Sequence, residues 1–154
     1  MLAKVSMNER SHVELITIYE MCRILGAGLD IQRTFRAALN VLVAHLGLSR
    51  AMIVMPAEDN EGELCVHSSV GLDRQQEERG RWRHGEGLIG HVYTSAMPVV
   101  VPNVAHSPEF IDRTGAFSAQ ADRMMAFVVV PLKTDAAVLG VLAAQRAVEG
   151  LTRL

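Results

Sequence analysis

The chain is poor in aromatic residues and cysteine, and it has no long apolar run. Aromatic side chains make up 5% of its 154 residues, and Cys22 and Cys65 are the only cysteines. Neither has a neighbour that would complete a C-x-x-C pair, so the sequence predicts no disulfide framework and no zinc site. Its longest apolar stretches are about nine residues, whereas a membrane-spanning helix needs about 20. Because the first residues also lack the apolar core of a signal peptide, we expect a cytoplasmic protein without a membrane segment.

A strong charge of either sign is missing as well. Lys and Arg number 15 and Asp and Glu number 17, which gives a formal net charge of −2. Domains that bind nucleic acid usually carry a strongly basic face, so direct nucleic-acid binding is not expected. The length and the 49% content of hydrophobic residues are typical of one globular domain. We expect residues 1–8 to be a flexible N-terminus and residues 9–150 to form the domain.

Motifs of common catalytic sites are also absent. The sequence contains no G-x-S-x-G, no H-E-x-x-H, no paired-carboxylate motif and no kinase signature. The residues therefore give no positive support for catalysis, and we predict that the chain is not an enzyme.

Two helices are predicted at the start of the chain. Residues 9–25 spread apolar side chains over more than one stripe, which indicates a helix that touches partners on two sides. Asp30 is placed to cap a second helix, and Gly47 is placed to end it.

The remaining pattern predicts short strands that follow one another closely. Residues 51–55 and 63–69 form one predicted hairpin, residues 125–132 and 137–144 form another, and residues 98–101 form a short edge strand. Short connections between strands indicate an antiparallel sheet and an α+β fold. Between the hairpins we expect a polar segment at 71–85 that adds little to the core, a helix at 87–96, and a long polar loop at 103–123 with a helical turn near Pro108.

The segment Gly85-Glu-Gly87-Leu-Ile-Gly90 matches the G-x-G-x-x-G pattern. A dinucleotide site would need an apolar strand immediately before it and a βαβ unit around it. Residues 80–84 make a poor buried strand, and no parallel crossover is predicted. We favour the simpler interpretation, in which these glycines turn the chain into a helix that packs closely on the sheet.

Cys65 and His67 alternate along one predicted strand and therefore share a face. They are the right types for a thiolate–imidazole pair or for half of a metal site. The favoured alternative is a small core cysteine with a histidine near the strand end.

Basic residues surround the only tryptophan. Arg79, Arg81, Arg83 and His84 flank Trp82, while two nearby glutamates reduce the local charge. This group is interpreted either as a solvated loop or as a site for a small anionic ligand, since arginine pairs with carboxylates in a bidentate manner.

Two sets of residues carry a resemblance to a known family. The segments Gly85-Glu-Gly-Leu-Ile-Gly-His-Val-Tyr, Met97-Pro-Val-Val-Val-Pro-Asn-Val and Phe127-Val-Val-Val-Pro-Leu-Lys, in the element order above, resemble GAF sensor domains over about residues 12–146. More narrowly, Glu14-Leu-Ile-Thr-Ile-Tyr-Glu-Met-Cys-Arg and Phe110-Ile-Asp-Arg-Thr-Gly115 resemble the N-terminal domain of NifA-type activators of nitrogen fixation. Those activators continue into an ATPase that acts on the sigma-54 polymerase and into a helix-turn-helix, so the chain would be a fragment of a longer regulator.

The resemblance implies a fold and a binding pocket. It implies a central antiparallel sheet of five or six strands, with the N-terminal helices on one face and a pocket on the other, roofed by residues 71–96 and 103–123. Ligand-binding residues expected on these elements are Trp82, Arg83, His84, Ile89, Phe110, Arg113, Phe117, Arg123 and Phe127. The three arginines are the groups able to pair with a dicarboxylate.

The resemblance also implies a function and partners. It implies a sensor for a small-molecule effector such as 2-oxoglutarate, or for a regulatory protein, that controls a downstream transcriptional activator. The alternative from another class is a redox enzyme of the same fold, a free methionine sulfoxide reductase. The wide apolar surface of the first helix predicts a homodimer with its seam at Ile16, Tyr19 and Arg23.

Overall fold

A computed structural model describes residues 2–27, 30–116 and 124–148 of the chain. Its elements in chain order are α1 (Leu2–Ala27), α2 (Ile31–Leu46), β1 (Arg50–Pro56), β2 (Glu63–Val70), α3 (Arg74–Arg79), β3 (Arg81–Arg83), α4 (Gly87–Ser95), β4 (Val99–Val101), a 3-10 turn (Val104–His106), β5 (Met125–Lys133) and β6 (Val138–Ala147).

The six strands form one antiparallel sheet in the order β3-β2-β1-β6-β5-β4. This confirms the predicted α+β fold, both hairpins and the edge position of residues 98–101. The central pair is β1 and β6, in which Arg50 lies opposite Gln145. A bulge between β1 and β2 shifts the register after Ile53, so that Ser68 and Val66 pair with consecutive residues and His67 is left between them.

Alternation along the strands divides the core between the two faces of the sheet. On one face, Leu39 of α2 packs against Ala51, Ile53 and Ala144. On the other face, α4 packs over a larger cluster drawn from β1, β2, β3, β5 and β6. The buried members of that cluster are Met52, Val54, Leu64, Trp82, Leu88, Ile89, Val92, Phe127, Val129, Val141 and Ala143.

The first helix lies in an outer layer. Its main contacts are to α2, which in turn packs on β1 and β2. Thr17 is buried at this contact, where its hydroxyl donates to the Val13 carbonyl at 2.8 Å and lies 3.2 Å from Nδ1 of His45. The helix begins at Leu2, earlier than the predicted start at residue 9, because residues 2–8 contain no glycine or proline to interrupt it. Among the described residues, no helix is both long and apolar enough to cross a membrane.

The polar segment 71–85 was the least accurate part of the prediction. It contains the short helix α3 and the three-residue strand β3, in which Trp82 lies opposite Leu64 and is only 3% exposed. The segment therefore adds a large side chain to the core. A strand of three residues is too short to show an alternating pattern. Only Trp82 points into the core, and because both of its neighbours are charged, the sequence did not indicate a strand here. The later loop contains a 3-10 turn at Val104–His106, where the Asn103 side chain accepts from the Ala105 amide. A second turn lies at Pro108, as predicted, and is closed by the Phe110 amide, which donates to the Ser107 carbonyl at 3.3 Å.

The predicted cap of α2 is confirmed and offers a test of local stability. Asp30 Oδ1 accepts from the amides of Gln32 at 3.1 Å and Arg33 at 3.4 Å. Asp30→Ala leaves these amides without that acceptor, so we expect a loss of about 1 kcal/mol in urea denaturation. Gln32→Ala, an exposed change in the same turn, should stay within about 0.5 kcal/mol of the unmodified chain. Equal losses in the two variants would contradict the cap.

Candidate ligand cavities

The face of the sheet under α4 contains two small cavities. Helix α4, Leu72 and residues 104–116 form a roof over this face. The first cavity has a volume of about 20 Å³ and is lined by Arg50, Ala51, Met52, Leu72, Thr114, Phe127, Ala143 and Gln145. The second has a volume of about 10 Å³ and is lined by Met52, Trp82, Leu88, Ile89, Phe110, Ile111, Asp112, Arg113, Thr114 and Phe127. The two cavities are neighbours, since they share the walls Met52, Thr114 and Phe127.

Five of the predicted ligand-binding residues meet at the second cavity. Trp82 arrives from β3, Ile89 from the first turn of α4, and Phe127 from β5. Phe110 and Arg113 come from the roof loop, and the Phe110 ring meets the Phe127 ring edge-on at 5.1 Å between centroids. The aromatic walls are therefore contributed by segments that are distant in the sequence.

Two other predicted residues, Arg83 and His84, line neither cavity. Arg83 and His84 are exposed, and the His84 ring packs against Tyr93 with 4.8 Å between centroids. Phe117 and Arg123 lie outside the described residues. Arg113 is exposed, and its Nη2 forms an ion pair with Glu86 at 2.5 Å.

Two polar residues that line the first cavity were not predicted from the sequence. Arg50 and Gln145 both line it, and Gln145 is only 3% exposed. A usable signal was present, since Gln145 follows the apolar run of β6 at a position whose alternation points inward. That Gln145 lies opposite Arg50 could not be predicted, because this requires the register between β1 and β6.

The three glycines of the G-x-G-x-x-G pattern shape the start of α4. Gly85 and Gly87 adopt φ angles of 79° and 62°, which other residues rarely tolerate. A Cβ on Gly90 would lie 2.5 Å from the Arg83 carbonyl oxygen. Gly90 therefore lies close to the turn that precedes the helix. The prediction had expected the close packing of these glycines to be against the sheet. All strand pairs that surround this segment are antiparallel, so the βαβ unit of a dinucleotide site is not formed in the described part of the chain.

Cys65 and His67 do not form a reactive pair. The ring of His67 packs edge-on against Phe35 with 5.5 Å between centroids, and its Nδ1 lies 3.3 Å from the Ser68 hydroxyl. Burial raises the pKa of the Cys65 thiol, and the nearby positive charge of Arg81 offsets only part of this rise. Within the described ranges, no three His, Cys, Asp or Glu side chains lie close enough to hold a metal ion.

The raised pKa of Cys65 predicts low reactivity towards thiol reagents. With Cys22→Ser as background, alkylation of Cys65 should rise with pH to a midpoint above that of free cysteine, because burial disfavours the thiolate. Arg81→Ala should move the midpoint further upward, since the charge of Arg81 favours the thiolate. Arg74→Ala, on the exposed side of α3, serves as the control. A midpoint below that of free cysteine would contradict this account of the site.

Comparison with known proteins agrees with the architecture. The family model of the GAF domain matches residues 30–153. The chain is 39% identical over 137 residues to the Nif-specific regulatory protein of Herbaspirillum seropedicae. The matched region covers 88% of this chain and 25% of that protein. The chain therefore spans about a quarter of the length of this relative.

Solved structures show the same fold. The GAF domain of A. aeolicus nlh2, described as in an inactive state, superposes with a TM-score of 0.79 at 25% identity over 91% of this chain and 83% of that one. Free methionine-R-sulfoxide reductase of Neisseria meningitidis has a TM-score of 0.66 at 21% identity over 84% of this chain and 72% of that one. With the family model covering most of its length, the chain belongs to the GAF domain family.

Proposed function

We propose that the chain is the signal-sensing domain of a NifA-type transcriptional activator and controls an ATPase and a DNA-binding region that lie outside it. The observation that carries the proposal is the 39% identity to a Nif-specific regulatory protein over 88% of this chain. The chain matches only a quarter of that protein, as a single regulatory domain would. We place this role in the cytoplasm, because the DNA that such an activator controls lies there.

The proposed mechanism is a shift between conformations of the roof. A small molecule that enters the cavities contacts the roof and the sheet at once, because Thr114 and Phe127 line both cavities from opposite sides. Because each cavity of the present structure has room for about one water molecule, binding requires that the roof first moves away from the sheet. Binding then stabilises the arrangement in which the roof is closed over the effector. A ligand changes such an equilibrium only by its difference in affinity for the two states. The domain needs no chemical step in this mechanism, so we propose that it is not an enzyme.

The alternative function, a free methionine sulfoxide reductase, shares the fold but has little chemical support. Such an enzyme needs reactive cysteines of low pKa, whereas burial raises the pKa of Cys65. The backbone of Cys22 lies on α1, which packs on α2, while Cys65 lies in β2. Reduction of free methionine sulfoxide by the purified chain, abolished in Cys65→Ser, would favour the enzyme and overturn our choice.

Calorimetry with 2-oxoglutarate tests the sensory proposal. We expect heat of binding in the millimolar range or below, and weaker binding in Arg113→Ala, because Arg113 lines the second cavity and can meet a carboxylate. Arg74→Ala is the matched control, since that side chain is 92% exposed and lines neither cavity. No heat would exclude this effector and would leave regulation by a protein partner. Binding unchanged in Arg113→Ala would retain the effector and reject the residue.

We further propose that α1 forms the seam of a homodimer. Ile16, Tyr19 and Arg23 are exposed along one side of the helix, and Leu15 and Ile18 extend the apolar surface next to them. Exposed apolar patches of this kind usually mark interfaces.

The dimer is tested by sedimentation at tens of micromolar protein. The unmodified chain should sediment as a dimer, and the double variant Ile16→Glu/Tyr19→Glu as a monomer, because two carboxylates on each helix would repel and would remain hydrated. Leu139→Glu places a charge at a similarly exposed apolar position on β6 and should leave the dimer intact. A monomeric unmodified chain, or dissociation by Leu139→Glu alone, would contradict the seam.

A further inference from the structure

We propose that the two copies of the dimer pack their first helices antiparallel, with Ile16 at the two-fold axis and Glu9 of each copy opposite Arg23 of the other. The inference rests on the proposed homodimer and adds the alignment of its two helices. The partner of this surface is therefore a second copy of the chain, held by a specific pattern of charge.

Glu9, Ile16 and Arg23 lie on one side of α1. Each is seven positions from the next, and an α-helix returns to nearly the same direction after seven residues. All three residues are exposed. Thr17, which contacts His45 of α2, is one position from Ile16 and therefore points about 100° further round the helix. The stripe is thus turned away from the contact with α2 and is available to another helix.

The centre of this stripe is apolar. Val13 and Tyr19 lie about one turn before and one turn after Ile16, and both are exposed. A two-fold axis at Ile16 places Val13 of each copy opposite the partner's Tyr19, because both residues are three positions from the centre. Contacts related by such an axis occur twice, as in other isologous interfaces. The antiparallel pair therefore buries the same apolar patch on both copies.

Charges of opposite sign flank the apolar centre at equal distances. Glu9 and Arg23 each lie about 10 Å from Ile16 along the helix axis, since an α-helix rises by about 1.5 Å per residue. The antiparallel alignment brings each Glu9 to the partner's Arg23. A parallel alignment would instead place Glu9 against Glu9 and Arg23 against Arg23, and such like-charge contacts are unfavourable. The charge pattern therefore selects the antiparallel alignment.

Arg23 can accommodate the carboxylate of a partner. Its Nη2 lies 3.5 Å from Oε2 of Glu20 in the same helix, and a guanidinium has five N–H donors to distribute. His12 and Glu20 are each four positions from Ile16, so the same axis brings His12 of each copy to the partner's Glu20. Each Arg23 then meets Glu20 of its own helix and the partner's Glu9.

Charge reversal tests the alignment by sedimentation at low ionic strength, where screening is weak. Glu9→Arg and Arg23→Glu each create two like-charge contacts in the antiparallel dimer, so each should raise its Kd about tenfold. The double variant Glu9→Arg/Arg23→Glu restores opposite charges and should dimerise like the unmodified chain. Glu14→Arg, an exposed change on the other side of α1, is the control and should have little effect.

A parallel dimer would respond differently to these variants. Like charges face each other at both positions before and after every reversal, so the single variants would dimerise as the unmodified chain does. Single reversals without effect, or a double variant that does not recover, would overturn the proposal.

Disulfide crosslinking tests which residues face each other. The background is Cys22→Ser/Cys65→Ser, which removes both native cysteines. A Glu9→Cys chain mixed with an Arg23→Cys chain of different mass should oxidise mainly to the mixed dimer, because disulfides join Cα atoms about 4.4–6.8 Å apart. Two Glu9→Cys chains would hold their cysteines about 20 Å apart and should crosslink far less. Crosslinking of Glu9→Cys chains to each other in preference to the mixed dimer would overturn the alignment.

Ile16→Cys in the same background distinguishes this failure from failure of the homodimer. Ile16 lies opposite its own counterpart in either alignment, so Ile16→Cys should crosslink whenever this side of α1 forms the seam. If Ile16→Cys crosslinks and two Glu9→Cys chains also crosslink to each other, the seam stands and the antiparallel alignment falls. If the unmodified chain sediments as a monomer and none of the cysteine variants crosslinks, the homodimer falls together with its alignment.

Discussion

Trp82→Ala is expected to lower the free energy of unfolding by about 3–5 kcal/mol, as large-to-small changes of buried aromatic residues do. Trp82 is 3% exposed and joins the core cluster under α4 together with Leu64 and Ile89. Its loss leaves a void where β3 meets α4. Urea denaturation measures the effect, and Met97→Ala, which truncates a side chain that is 64% exposed, should change stability by no more than about 0.5 kcal/mol. Similar losses in the two variants would show that β3 does not bury Trp82.

Gly90→Ala is expected to destabilise the chain by about 1–3 kcal/mol through overpacking. Helix propensity alone predicts the opposite sign, since replacing an interior helical glycine by alanine usually stabilises by about 1 kcal/mol. Packing should prevail, because a Cβ at this position would lie 2.5 Å from the Arg83 carbonyl oxygen and 2.9 Å from the Gly85 nitrogen. Backbone atoms of a tight turn cannot move away as a flexible side chain can.

The control for Gly90→Ala is His91→Ala, an exposed change in the next position of α4. Thermal unfolding should show little change for His91→Ala and a clear loss for Gly90→Ala. A more stable Gly90→Ala would mean that the turn before α4 is looser than the structure has it, and that the glycine serves another purpose.

The elements that sequence analysis predicted are those with strong local signals. Asp30 and Gly47 bracket α2 because a side-chain acceptor and a left-handed residue are local requirements of helix ends. The two hairpins were predicted because apolar β-branched runs are separated by short polar turns. The strand β3 was missed, since its only apolar member, Trp82, finds its place through pairing with β2, which is remote in the sequence.

For the same reason, only part of the candidate site could be predicted from the sequence. The aromatic walls could be predicted because a resemblance to GAF domains indicates which segments form the roof. The exposure of Arg83 and the ion pair of Arg113 with Glu86 depend on the direction of each side chain, which composition does not determine. Arg50 and Gln145 become neighbours only through the register of β1 with β6, two strands that are far apart in the sequence.

Hydrogen exchange tests the central claim most directly, namely that a small molecule binds between the roof and the sheet. The exchange of backbone amides is followed by mass spectrometry without ligand and with 2-oxoglutarate. The account predicts slower exchange in α4 and residues 104–116 with 2-oxoglutarate, and unchanged exchange in α2, which packs on the opposite face. Protection confined to α1 and α2, or no protection, would contradict it.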